Sequence, residues 1–223
     1  MPTYSFDELS DEAKAYALED YRRESESYLD SLEAIDRESM SDFNELLGEL
    51  YCHTTKSVEP RVDGTMTVTP TLRMDDELWE QNAVEHDAIG GHIPDVPVLR
   101  DSRYYDGTAK QVLITTWNGH VPELQKIVDS INAEADAIAD DASSGHPDDF
   151  NFNDSEVATD ALEANTDDLK DELYSGWEEA ATQALSAAVA SLGEILLDYA
   201  SDDNVIWHIN EDGIMFSEDG TME

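Results

Sequence analysis

Apolar residues recur every three to four positions over the first fifty residues, which is the spacing of one face of an α-helix. Ser5 and Glu8 have the spacing of a capping box, and Ser10 followed by two acids predicts a helix start. The apolar stripe then includes Ala13, Tyr16, Ala17, Tyr21, Tyr28, Leu32 and Ile35. Ser41 is placed to cap a second, short helix that carries Phe43, Leu46, Leu47 and Leu50. Residues 1–53 are therefore predicted to form helices with a solvated acidic face.

The middle of the chain changes to a two-residue period. From Thr65 to Arg73 apolar residues alternate with threonines, which predicts a half-buried strand with Pro70 at an edge or bulge. Val96–Tyr105 and Gln111–Trp117, joined by Asp106-Gly107, predict a β-hairpin with a tight turn. Between these strands, a short helix around Leu78, Trp79 and Val84 is predicted for residues 75–87.

Helical spacing returns after residue 120. Pro122 suits the first position of a helix, and one apolar stripe follows it: Leu124, Ile127, Val128, Ile131, Ala135 and Ile138. Residues 140–155 are predicted to form a loop. Thr166 then caps a long helix whose stripe includes Leu173, Trp177, Ala181, Leu185, Ala188, Leu192 and Ile195. Near the end, residues 204–209 fit either a strand or a short helix capped by Ser201 and ended by Gly213.

These elements predict the α+β class, with a small antiparallel sheet at residues ~58–118 flanked by acidic N-terminal and C-terminal helices. A single domain is expected for residues 1–223. It comprises the acidic helices 1–53, the sheet region 54–120 and the helical region 121–223, which contains the loop.

Charge is the most extreme property of the sequence. Asp and Glu number 53 against 12 Lys and Arg, for a net charge of -41, and residues 121–223 hold 27 acids and two bases. Such a chain repels nucleic acid and anionic membrane surfaces. No apolar stretch is expected to approach the ~20 residues that span a bilayer, and no signal peptide is recognised. We therefore expect an intracellular, cytoplasmic protein that binds neither membrane nor nucleic acid directly.

Two explanations of the acidity stay open. Salt adaptation fits the scarcity of lysine and the excess of Asp (29) over Glu (24), because carboxylates keep a protein hydrated in molar salt. Mimicry of DNA fits as well, since spaced carboxylates imitate phosphates. A calcium-buffering tail is disfavoured because the acids are spread through patterned segments.

Three short blocks resemble a known family. Tyr4–Lys14 is similar to the opening of an uncharacterised tailed-phage and archaeal-virus accessory family that is often labelled an antitoxin of a toxin–antitoxin stability system. Ser201–Asn210 with Phe216–Gly220 is similar to the end of that family, and Arg103-Tyr104-Tyr105 to a central strand. The resemblance implies a viral accessory protein, and it favours a short helix at residues 202–210 followed by an extended segment.

Candidate metal ligands occur in two places, neither with a recognised pattern. The first set consists of Glu85, His86, Asp87 and His92, whose spacing fits no zinc motif, so a loop with solvated histidines is predicted. Asp149–Asn153 imitates half a calcium loop, but Asp154 and Asp160 stand where Gly and Glu are required. We expect no cofactor and no metal.

Catalytic motifs are not recognised either. Cys52-His53 is adjacent in sequence, which does not bring a thiol and a base into hydrogen-bond geometry. No nucleophile elbow, phosphate loop or dinucleotide fingerprint is present. The basic residues of the middle, near Tyr104 and Tyr105, are expected to pair with the acidic helices: Arg61, Arg73, Arg100, Arg103 and Lys110. No enzyme is predicted.

The expected function is that of an acidic interaction protein that masks a basic partner, such as a nucleic-acid-binding protein, in a DNA-mimic, anti-defence or antitoxin-like role. The expected contact residues are Asp167, Asp168, Asp171, Glu172, Glu178 and Glu179. The alternative is a salt-adapted structural or assembly protein of a halophilic virus or host. Assembly into a homo-oligomer is compatible with both.

Overall fold

A computed structural model describes residues 3–55, 58–60, 66–68, 71–75, 77, 79, 92–100, 109–143 and 156–223. Its α-helices are α1 (Asp11–Glu24), α2 (Glu26–Gly48), α3 (Ala109–Ser143), α4 (Glu156–Tyr199) and α5 (Asp202–Glu211). Its strands are β1 (Cys52–Thr55), β2 (Val58–Pro60), β3 (Met66–Val68) and β4 (Thr71–Met74). The class is α+β, as predicted, with most of the described chain helical.

The contacts divide the chain into two compact units. Unit 1 comprises Met1–Asp42, Thr55–Thr71 and Ala188–Glu223, and unit 2 comprises Phe43–Thr54 and Leu72–Ala187. The helices α2 and α4 each contribute residues to both units. A single domain for residues 1–223 stays a prediction.

The N-terminal caps are confirmed, but the helix boundaries differ from those predicted. Ser10 Oγ accepts a hydrogen bond from the Ala13 amide at 3.2 Å, and Ser5 donates through its amide and hydroxyl to Glu8. The helical conformation is interrupted at Ser25, whose extended backbone separates α1 from α2. A new helix at Ser41 is wrong, because α2 runs without interruption to Gly48. Its buried stripe, which continues across Ser41, includes Leu32, Met40, Phe43 and Leu47.

The described strands are confined to residues 52–74. β2 and β3 pair antiparallel with Val58 opposite Val68, and β1 pairs with β4 in a second two-stranded sheet. The predicted strand at Thr65–Arg73 therefore overlaps two strands, and its residues 65, 69 and 70 lie outside the described part. So does most of the helix predicted at residues 75–87.

The hairpin predicted at Val96–Trp117 is wrong. Gln111–Trp117 belongs to α3, and Pro122 lies inside that helix instead of at its start. This segment is helical because its buried residues recur at three-, four- and seven-residue spacings, which place them on one face of a helix: Leu113, Ile114, Trp117, Leu124, Val128 and Ile131. Residues 92–100, here called the strap, hydrogen-bond to α3 side chains. Residues 101–108 lie outside the described part.

Helix α4 begins ten residues earlier than predicted. Thr166 does not cap it but is buried inside it, where its hydroxyl donates to the Leu162 carbonyl oxygen at 2.7 Å. Within unit 2, α4 packs on α3 through Ala135, Ala158 and Leu162. Trp177 of α4 lies at the centre of an aromatic cluster in unit 2. Its ring centroid is 5.3 Å from that of Trp117 and 6.3 Å from that of Trp79.

By length and composition alone, α4 is apolar enough to cross a membrane, with a mean hydropathy of 1.4 over its most apolar 18 residues. On this criterion the expectation that no stretch approaches membrane-spanning length is wrong. However, 39% of that window is buried within the protein, and core helices pass the same test. The absence of a membrane partner stays a prediction.

In unit 1 the two ends of the chain meet. The helical alternative for residues 202–210 is confirmed as α5, with Ser201 as its cap, and the chain turns at Gly213. Phe216 then bridges to both Tyr4 and Met222. The buried Asp20 accepts the Met222 amide at 2.9 Å and thereby fixes the last residues against α1. The N-terminal segment around Tyr4 and the C-terminal segment around Phe216 thus pack together within unit 1.

Candidate binding surface on helix α4

The acids of α4 lie on the side of the helix opposite its buried stripe. Asp160, Asp167, Asp171 and Glu178 follow one another at intervals of seven, four and seven residues, so they form one row along the helix. A second row consists of Asp168, Glu172 and Glu179, at intervals of four and seven. Trp177 and Ala180, by contrast, are buried. The local sequence therefore builds an acidic face because carboxylates and apolar residues share the helical period but differ in phase.

All six residues predicted to contact a partner are exposed on this acidic face: Asp167, Asp168, Asp171, Glu172, Glu178 and Glu179. In the described part of the chain, none of the six forms a salt bridge. Glu179 accepts a hydrogen bond from Gln183 at 3.0 Å. Asp160 and Glu163 lie on the same face and were not predicted as contact residues, although they precede Asp167 by seven and four residues.

The acidic face has the linear charge density of a nucleic-acid strand. From Asp160 to Glu179 the helix rises about 28 Å and carries eight carboxylates, or about one negative charge per 4 Å. One strand of DNA carries one charge per about 3.4 Å. A surface that accommodates a phosphate backbone therefore meets a similar number of charges on α4.

A groove beside the acidic face is lined by α3 and α4. Its volume is about 400 Å³, and Glu172 and Glu179 border it from α4. From α3 come Glu123 and Lys126, which pair with each other at 2.8 Å. Gly176 lies in its wall, where a Cβ atom would stand only 3.0 Å from Leu124 Cδ2. The sequence did not predict this groove, because it depends on which faces of two distant helices pack together.

The other candidate sites do not assemble in the described residues. Burial raises the pKa of the Cys52 thiol to about 12, so the reactive thiolate is suppressed at neutral pH. His92 pairs with Asp136 at 2.9 Å. No group of three or more metal-ligating side chains occurs in the part of the chain described above. The candidates at Glu85–Asp87, Asp149–Asp154, Arg61 and Arg103–Tyr105 lie outside the described residues, whereas Arg73 and Arg100 are exposed.

Comparison with known proteins adds no relative. No protein-family description, curated protein or solved structure matches the chain. The fold and the surface together define a mainly helical, acidic α+β protein whose described residues include a densely charged face on α4.

Proposed function

We propose that this chain is a non-enzymatic interaction protein whose acidic face on α4 binds a basic protein and masks the surface with which that protein holds nucleic acid. The observation that carries the proposal is the row structure of the acidic face. Eight exposed carboxylates lie along about 28 Å of one helix, a mean charge density close to that of a nucleic-acid strand. A patch of this kind supplies the charge that a phosphate-binding groove neutralises.

The physical effect of such a surface is strongest on encounter. Complementary charge raises the association rate and suppresses wrongly oriented complexes. Because six of the carboxylates have no salt-bridge partner among the described residues, a partner's arginines need not displace an internal pair. The groove bordered by Glu172 and Glu179 offers space for a long basic side chain next to the acidic face. Binding should weaken as salt screens the charges.

The resemblance of the two terminal segments to phage and archaeal-virus accessory proteins supports a viral setting for this role. In that setting the protein acts in the cytoplasm of the host cell, in an antitoxin-like or anti-defence capacity. The partner is then a basic, nucleic-acid-binding protein.

Charge reversal on α4 should weaken binding much more than the same change elsewhere. The α4 variant carries Asp171→Lys, Glu172→Lys, Glu178→Lys and Glu179→Lys, all at exposed positions. A fluorescent ten-residue arginine peptide, titrated at low salt and followed by anisotropy, should bind it at least about tenfold more weakly than the parent.

The matched control on α1 and α2 carries Glu19→Lys, Glu33→Lys, Glu38→Lys and Glu45→Lys, which are exposed and change the net charge equally. It should lose less than about threefold in affinity, since exposed single charges contribute little when they are not part of the binding surface. Equal weakening of both variants would show that only net charge attracts the peptide, and the proposal would fail.

A second candidate function is a salt-adapted structural or assembly protein. The observation that favours it is that exposed acids also cover the helices outside α4, as at Glu12, Glu19, Glu33 and Glu45. Unscreened repulsion among them should destabilise the fold at low ionic strength, because the Debye length is long there.

Salt adaptation predicts that the melting temperature rises steeply from about 0.1 M to about 2 M potassium chloride, where the screening length falls from about 10 Å to below about 3 Å. Thermal unfolding followed by circular dichroism measures this. Potassium chloride is the appropriate salt because its ions are only weakly excluded from protein surfaces, unlike sulfate or phosphate. The change in melting temperature therefore reports mainly the screening of charge. A melting temperature that does not change across this range would remove the physical basis of the salt-adaptation candidate.

A further inference from the structure

The strap is held against α3 by side-chain amides that occur once every seven residues. Asn132 accepts the Ile93 amide at 2.8 Å and donates to the Ile93 carbonyl oxygen at 3.0 Å. Asn118 does the same for Leu99, at 3.0 and 2.9 Å. Midway between them, Gln125 accepts the Val96 amide at 2.9 Å. These three α3 residues are here called the amide ladder.

The spacings on the two sides of the amide ladder match. Seven helical residues rise about 10.5 Å, whereas three residues of extended polyproline-type chain rise about 9.3 Å. Because these two lengths are similar, strap residues three apart can each meet a ladder residue when the ladder residues are seven apart. Trp117 completes the arrangement, because its indole Nε1 donates to the Pro97 carbonyl oxygen at 2.8 Å.

The same three-residue period decides which strap side chains are buried. Ile93, Val96 and Leu99 are at most 4% exposed, while Val98 is 53% exposed. Six hydrogen bonds reach strap main-chain atoms, and these bonds do not depend on side-chain identity. The side-chain requirement is limited to three apolar residues at intervals of three, with prolines tolerated between them.

A small aromatic cavity lies beside the strap. Its volume is about 90 Å³, and Tyr51 and Trp177 line it together with Pro94 and Pro97. Grooves that bind proline-containing extended peptides commonly combine aromatic walls with hydrogen-bond donors to the peptide carbonyls. Trp117 and the amide ladder supply such donors here.

We propose that the amide ladder of α3 is a peptide-binding surface, occupied in this structure by the chain's own strap. Its ligand in trans is an extended, proline-containing segment of a partner protein with apolar residues at every third position. The strap itself shows this recognition: two carboxamides each pair with both main-chain polar groups of one strap residue, and three apolar strap side chains are buried. The proposal uses a different surface from the acidic face on α4 and does not depend on it.

The test uses a synthetic peptide of the strap sequence, His-Ile-Pro-Asp-Val-Pro-Val-Leu-Arg, added to the full-length chain. Ile93→Ala with Leu99→Ala weakens the internal strap without adding charge. We expect this variant to bind the peptide at least about tenfold more tightly than a scrambled peptide of equal composition. Adding Asn118→Ala and Asn132→Ala should abolish that preference, because four of the six main-chain hydrogen bonds are lost.

Hydrogen exchange in the parent chain keeps the proposal testable if these variants do not fold. Excess strap peptide should accelerate exchange of the Ile93, Val96 and Leu99 amides, and the scrambled peptide should not. Equal effects of the two peptides in both experiments would overturn the proposal. Concentration-dependent dimers of the strap-weakened variant, with no peptide binding, would also overturn it by assigning the amide ladder to a second copy of the chain.

Discussion

Leu185→Asp is expected to unfold unit 2. Leu185 is 4% exposed on α4, so the substitution buries a carboxylate without a counter-charge and removes packed apolar area. The new aspartate is either buried as an unpaired charge or must take up a proton to become neutral, and either outcome commonly costs several kcal/mol. That cost is comparable to much of the stability of an ordinary domain. Urea unfolding followed by circular dichroism measures it.

The neighbouring Ser186→Asp is the matched control for this substitution. Ser186 is exposed on the same helical turn, so the carboxylate stays in water and the stability should change by less than about 0.5 kcal/mol. If the two variants melted alike, the stripe through Leu185 would not be core. The apolar side of α4 would then be the better candidate for a partner-binding surface.

Gly220→Ala should destabilise unit 1 by more than about 3 kcal/mol, which is the second large effect. Gly220 has φ +90°, a conformation that alanine rarely adopts, and it packs directly on α1. An added Cβ atom would overlap the main-chain carbonyl oxygen of Ala13, which cannot rotate away as a side chain can. Backbone strain and steric overlap therefore add.

Gly213→Ala separates these two contributions. Gly213 also has a positive φ, +65°, but a Cβ atom added there would meet no described part of the chain within 4 Å beyond its sequence neighbours. Its cost should therefore be only about 1 kcal/mol, from backbone strain alone. Thermal unfolding of the two variants side by side gives the difference. Equal costs would mean that the C-terminal segment moves off α1 easily, and that the meeting of the two chain ends contributes little to stability.

Local signals in the sequence predicted some helix starts and missed others. Ser10 and Ser201 do cap helices. Ser41 and Thr166 carry the same kind of hydroxyl but lie inside α2 and α4, because the buried stripes of those helices continue past them. The prediction of a hairpin ending at Trp117 was wrong because a short apolar run fits both the strand period and the helix period. Burial along one side of α3 favours the helix. Pro122 was placed at a helix start for a sound local reason, yet the packing of α3 tolerates it in the interior.

The candidate sites divide in the same way. The acidic face was predictable, since seven- and four-residue spacings place Asp167, Asp171 and Glu178 opposite the apolar stripe. Neither the groove nor the amide ladder was. The seven-residue spacing of Asn118, Gln125 and Asn132 is visible in the sequence. That these side chains bind the strap could not be predicted, because it depends on the strap lying beside α3.

The most direct test of the central claim compares what three immobilised proteins retain from an extract of the source cells. The parent and the control with Glu19, Glu33, Glu38 and Glu45 reversed should retain the same basic, nucleic-acid-binding protein, and double-stranded DNA should release it. The α4 variant, reversed at Asp171, Glu172, Glu178 and Glu179, should retain at least about tenfold less. Equal retention by all three proteins, or retention that DNA does not compete, would contradict the claim that the acidic face on α4 masks a nucleic-acid-binding surface.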